Sequence, residues 1–360
     1  MKQLRKLWFE RITSPTRIKL YAYLSLVTQI LIVVTGGAVR LTASGLGCPT
    51  WPKCPDESLV TTPEMGFHGI IEFGNRLLTF VLLVVALLTF LVAARIHPKT
   101  KEMVRPMLVF FGGVIVLVAG LALASNFGID LTAIVLFAIS ILLMAFGTVV
   151  FLRTVRSEGP KFVVPAFLLG FGIIFQAVLG GITVLTQLNP WIVGAHFLVS
   201  ALLIASASVL VWRVKNLPKQ EVASITFALR YPIVFTAVVA IVVGVLVTGA
   251  GPHAGDLDTV RNGLDLEVWQ HYHSYPAYLM TALIGISFLA QLRVTRSIWK
   301  TAVQKSLTTL FLVSILQAIV GILQARMGVP ALLVGIHMLG AGLLTSIVTF
   351  QFLATSRAKK

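Results

Sequence analysis

A chain of 360 residues that is 57% hydrophobic, only 12% charged and has a mean hydropathy of +0.93 is not a soluble globular domain; it is a polytopic membrane protein. The net charge of +16 and pI near 10.3 do not indicate a nucleic-acid partner, because the basic residues form short clusters between apolar runs.

Ten spans are expected, at about 20–40, 67–94, 106–125, 131–152, 162–185, 191–212, 231–249, 268–292, 306–325 and 330–354, each near the ~20 residues a bilayer requires. Of the 29 lysines and arginines, 24 fall before the first span, in alternate connections or in the C-terminal tail. By the positive-inside rule both termini are cytoplasmic. Asp56, Glu57, Glu64, Asp130, Asp256, Asp258, Asp265 and Glu267 all fall on the opposite, external side.

Residues 1–19 form a basic tail with no fold of their own, and the first span, which has no A-x-A-like site after it, is expected to stay as an uncleaved anchor. It ends in GGAVRLTASGLGCPTWPKCP, an external Gly- and Pro-rich loop holding both cysteines, Cys48 and Cys54. Outside the cytoplasm such a pair can close a small disulfide; two unpaired thiols are the alternative. A compact loop here would cover something at the outer membrane surface.

The second span opens GFHGIIEFGNRLLTF, where His68, Glu72 and Asn75 recur at i, i+4 and i+7 on one helical stripe. A carboxylic acid about a turn inside the membrane needs a partner or a task. Arg76 is the nearest partner, and a packing role alone is the plainer reading. Spans three and four, 106–152, carry no histidine and look like a lipid-facing hairpin without chemistry.

Spans five and six contain QAVLGGITVLTQLNPWIVGAH, ending at His196, and spans nine and ten contain QAIVGILQARMGVPALLVGIH, ending at His337. The interval from Gln176 to His196 equals that from Gln317 to His337, 20 residues, with Pro190 and Pro330 in the intervening turns. A cytoplasmic linker, 213–230, separates the halves. Span eight opens LEVWQHYHSYPAYLM; aligned on the basic residues Arg95 and Arg293 at the cytoplasmic ends, His273 matches Asn75 and Gln270 matches Glu72, and His271 faces elsewhere. The expected plan is an all-α protein of two pseudo-symmetric four-helix bundles, 20–212 and 231–354, in parallel repeat, with 106–152 as an inserted hairpin and 355–360 as a tail.

His68, His196, His273 and His337 all lie in the first turns of helices that enter from outside, so they share one depth. Facing histidines across a four-helix bundle hold a heme. His273 and His337 are therefore expected to ligate a heme b. In the first unit the matching pair is His196 and Asn75, and asparagine is a poor iron ligand, so that site has one strong ligand and an open face near Glu72. His68 is an alternative ligand but stands seven residues, about 10 Å, further along its helix. A lone membrane histidine is often only a hydrogen-bond partner between helices; its repetition argues against that for His196 and His337. His97 is expected in a solvated cytoplasmic loop, and His253 and His271 as surface or supporting groups. Gln176 and Gln317 can be simple bridges between helices.

At VRLTASGLGCPTWPKC (39–54), IEFGNRLL (71–78), QAVLGGITVLTQLNPWIVGAHF (176–197), TGAGPHAGD (248–256) and GVPALLVGIHMLGA (328–341) the sequence resembles the heme A synthase family, specifically a bacterial, actinobacterial-like branch. The resemblance implies oxidation of the C8 methyl group of heme O to a formyl group, giving heme A for cytochrome oxidase. It implies heme b on His273 and His337, heme O as substrate in the N-terminal half, Glu72 as catalytic carboxylate and a Cys48–Cys54 disulfide. Substrate would ligate to His196, with Arg40 or Arg76 pairing its propionates. The expected partners are the lipid bilayer, a heme O synthase and an electron acceptor; the expected location is the cell membrane, with the heme sites near the external face. Two departures stand out: Asn75 replaces a histidine common in the family, and ten spans replace the usual eight. A b-type cytochrome that only transfers electrons and a ten-span transporter are the competing readings. The transporter reading expects polar groups at the midplane, whereas here they cluster at the outer ends.

Overall fold

The computed structural model describes residues 10–156 and 158–356. Parts of the two expected tails lie outside these residues. Among the described residues ten helices are long and apolar enough to cross a membrane. They are α1 (Ile18–Leu41), α2 (Gly66–Ile96), α3 (Thr100–Phe127), α4 (Leu131–Arg156), α5 (Val163–Leu185), α6 (Pro190–Lys215), α7 (Ser224–Ala250), α8 (Leu266–Thr295), α9 (Ala302–Arg326) and α10 (Ala331–Thr355). Several run past their apolar cores into the basic flanks, because helical hydrogen bonding continues where the long Lys and Arg side chains can reach water. Thus α3 begins six residues before Pro106 and α7 eight before Pro232, so both prolines lie inside their helices, in the second and third turns, where each removes one backbone hydrogen bond.

Helices α1, α2, α5 and α6 pack as one bundle and α7 to α10 as a second, with α10 lying against α1 and α6 across the seam. The hydroxyls of Ser208 on α6 and Ser346 on α10, both buried, stand 2.9 Å apart there. The duplicated hairpins match in detail. Gln176 Nε2 donates to the His196 carbonyl at 2.9 Å, and Gln317 Nε2 donates to the His337 carbonyl at 3.0 Å. Both turns contain two consecutive residues at positive φ, Gln187–Leu188 and Gly328–Val329, and each is closed by a backbone bond spanning five residues. A β-branched residue at positive φ is strained; Val329 is tethered there, its carbonyl accepting from His253 Nε2 at 2.8 Å.

The α3–α4 hairpin is not simply surrounded by lipid. Near its cytoplasmic end Phe110 and Phe151 join Phe90 of α2 and Phe167 of α5, with ring centroids 4.5–6.0 Å apart. Aromatic pairs of this kind add about 0.5–1.5 kcal/mol each beyond burial. The outer end, with Phe127, Ile129 and Leu131, is exposed as expected for a lipid-facing surface. His97 is a correction: it is buried rather than solvated, because Nε2 bonds to the Glu158 carbonyl at 2.8 Å and Nδ1 accepts from Lys99 N.

Candidate functional site

In the second bundle His273 and His337 approach from α8 and α10 with ring centroids 6.1 Å apart and planes at 78°. Two imidazoles that ligate one metal from opposite sides, at about 2 Å per bond, put their centroids about 6 Å apart. His273 Nδ1 bonds to the Ala240 carbonyl at 2.9 Å, an arrangement that orients the ring and leaves Nε2 for a metal. His337 Nδ1 is buried without a protein partner.

Glycines make the space. A Cβ on Gly244 of α7 would lie 2.9 Å from His273 Cε1, and one on Gly321 of α9 would lie 3.5 Å from His337 Cε1. In the first bundle a Cβ on Gly180 of α5 would lie 3.2 Å from His196 Cε1, and one on Gly36 of α1 would lie 4.0 Å from Asn75 Nδ2. Each ring, and Asn75 in the fourth place, therefore faces a glycine on the neighbouring antiparallel helix. Gly180 and Gly321 occupy the same position of the repeated stretch, four residues after its glutamine, so that part of the cradle was legible in sequence. Gly36 and Gly244 lie outside the repeat, and none of the four glycines was singled out from sequence.

The first bundle places a single histidine, His196, at the matching level. His196 Nδ1 is buried and unpartnered. Asn75 Oδ1 accepts from Thr35 Oγ1 at 2.8 Å, so its amide is already committed to α1. His68 is exposed and bonds through Nδ1 to Ser44 Oγ at 2.9 Å, away from the bundle interior.

Glu72 is buried and both its oxygens are engaged. Oε2 accepts from Cys48 N at 2.6 Å; Oε1 accepts from Arg76 Nε at 3.1 Å and Nη2 at 2.5 Å. The same guanidinium donates to the carbonyls of Thr50, Lys53 and Cys48 at 3.0–3.1 Å. Arg76 thus ties α2 to the loop closed by the Cys48–Cys54 disulfide. Trp51 of that loop lies directly over Gly181, next to the glycine facing His196. The loop is a lid on the first bundle, as its composition suggested.

Arg40 is the residue whose place was least expected. It starts on α1 in the first half, yet its Nη2 donates to the carbonyl of Thr248 on α7, in the second half. It borders a cavity of about 50 Å³ with His253, Gln270 and Gln324. Arg40 and Arg76 therefore serve different bundles. His271 is exposed and bonds only its own helix, at the Glu267 carbonyl. Among the described residues no group of three or more His, Cys, Asp or Glu side chains forms a compact metal cluster. A cofactor ligated by isolated pairs of histidines needs none.

Stretches of the chain are similar to heme A synthases: 29% identity over 115 residues to that of Geobacillus thermodenitrificans, covering 30% of this chain and 33% of that protein. Another is 33% identical over 64 residues to that of Alkalihalophilus pseudofirmus, covering 18% and 21%. A stretch of 85 residues, 23% of this chain, is 34% identical to a protoheme IX farnesyltransferase of Thermus thermophilus, covering 14% of it. The matched stretches span a third or less of these relatives' lengths. The family model described as COX15-CtaA, cytochrome oxidase assembly protein, matches far more: residues 19–121 and 132–349, breaking only at the α3–α4 turn and running through both bundles with their paired histidine positions. On that match the chain belongs to the COX15-CtaA family of cytochrome oxidase assembly proteins.

Proposed function

We propose that this protein acts as a heme A synthase, oxidising the C8 methyl group of heme O to a formyl group. The observation that carries the reading is the pair His273 and His337, held across the second bundle at a separation that suits two axial ligands of one iron. A heme b bound there would supply one-electron transfer. The first bundle offers His196 alone as a strong ligand, beneath the disulfide lid, and so suits a porphyrin that binds, reacts and leaves. Conversion of methyl to formyl with water as oxygen source releases four electrons and four protons, so the site requires a proton carrier and a membrane electron acceptor.

Glu72 is our choice of carrier. Oε1 is filled by its two bonds from Arg76, but Oε2 keeps a lone pair beyond its bond from Cys48 N, so the group can take a proton there without leaving Arg76 or Cys48 N. Lid and carboxylate are then one unit, with the acid fixed at the rim of the substrate site. His196 binds the substrate iron, Asn75 keeps the opposite face weak, and Arg76 holds the lid. His68 lies outside the site. The lipophilic substrate enters from the bilayer, and an enzyme of the protoheme farnesyltransferase class is the natural supplier. By charge distribution the sites face the outside of the cell membrane.

The test is expression in a membrane that produces heme O, followed by chromatographic separation of hemes B, O and A. The wild type is expected to form heme A, and His337→Ala to lose it together with heme B. Heme B alone, with heme O unchanged, would overturn the reading in favour of a b-type cytochrome.

A further inference from the structure

The cavity beside Arg40 lies at a defined level of the second bundle. Gln270 is three residues before His273 on α8, and Val334 is three before His337 on α10. Val247 is three after Gly244 on α7, and Gln324 three after Gly321 on α9. The helices alternate in direction, so all four residues stand about 4.5 Å outward of the histidine and glycine level. The cavity is therefore stacked on the space between the two imidazoles. It is also poor in anions and rich in unmet polar groups. Arg40 Nε and Gln324 Oε1 are buried without partners. Among the described residues Arg40 has no carboxylate partner, and its side chain bonds there to the Thr248 carbonyl in the last turn of α7. A second cation, Arg261, acts on it as well.

A half-buried guanidinium whose Nε is out of solvent and without a partner is costly, and an anion is what would relieve it. The volume of about 50 Å³ exceeds the ~10–15 Å³ that one water needs but is too small for an aromatic head group. We propose that Arg40, assisted by Gln270 and Gln324, binds the carboxylates of the porphyrin ligated by His273 and His337. A residue of the first half then secures the cofactor of the second. The assignment deepens the function proposed above and rests on its reading of the two histidines. It also takes Arg40 away from the substrate porphyrin, for which sequence had made it a candidate.

The test is titration of apoprotein made in heme-deficient cells with iron protoporphyrin IX and with its dimethyl ester, followed by Soret absorbance. A His196→Ala background confines the measurement to the second bundle. The diacid is expected to bind at least tenfold more tightly than the diester. Arg40→Met should bring that ratio close to one with diester affinity unchanged, and Arg40→Lys should restore most of it. Gln324→Glu, which puts a like charge in the cavity, should also abolish the preference, and it decides the matter if Arg40→Met binds neither porphyrin. Equal binding of diacid and diester by the parent, or a preference that survives Arg40→Met, would overturn the role of Arg40 while leaving the histidines as ligands. Binding of either porphyrin without a bis-histidine low-spin spectrum would overturn the ligand reading and this assignment with it.

Discussion

Glu72 and Arg76 illustrate how one pair of side chains serves two ends. An arginine that bonds a buried carboxylate and three loop carbonyls is a mechanical clamp, and the carboxylate it clamps is the one proposed above to carry the proton. Glu72→Gln keeps the shape and can keep the bond from Cys48 N, but it cannot carry a proton. Heme A output should fall by about 10²- to 10⁴-fold, the usual worth of a general base. The heme B content of the same membranes should stay at the wild-type level, which separates lost chemistry from lost fold. The glycines make a second residue-scale prediction. Gly244→Val or Gly321→Val forces a side chain against an imidazole proposed to ligate heme b, and overpacking of about 1–3 kcal/mol corresponds to roughly 5- to 150-fold weaker heme b retention. Gly180→Val, in the matching place of the first bundle, should spare heme b and impair conversion.

At the scale of elements, the external loop and the top of α2 stand or fall together. Removing one partner of a buried ion pair leaves an uncompensated charge and costs about 3–5 kcal/mol, whereas removing both costs much less. Arg76→Met should therefore lower the Tm, and adding Glu72→Gln to it should recover part of the loss. A double variant as unstable as Arg76→Met would show that the loop carbonyls, not the ion pair, dominate. The α3–α4 hairpin contrasts with this. It docks through Phe110 and Phe151. Its attachment was not legible because phenylalanines scattered through an apolar run read the same whether they face lipid or a neighbouring ring. His97 was misjudged for a related reason: a histidine between two basic residues reads as solvated until the 158–159 turn is folded over it.

For the whole molecule, orientation follows from charge alone. A cysteine placed at Asp256 should react with a membrane-impermeant maleimide on intact cells, and one at Lys215 only after the membrane is opened. The opposite pattern would invert the protein and move both histidine levels to the cytoplasmic face. The two bundles are not independent, since Arg40 and the Ser208–Ser346 contact cross the seam. Their hemes, if both are bound, share one depth and one framework, which is what electron passage between them requires.

Number, direction and depth of the helices were determined by the sequence itself, because hydropathy and charge act along the chain and spacing converts directly to height in a helix. The repeat fixed the pairing of His196 with His337, and the matching glutamines and glycines followed from it. Azimuth and partnership were decided only in three dimensions. That Asn75 is committed to Thr35, that Glu72 faces the lid, and that Arg40 leaves its own half for the other depend on which sides of different helices meet. The packing of side chains at the interfaces sets those meetings, and a one-dimensional pattern of apolar residues, equally apolar toward lipid and toward protein, does not encode them.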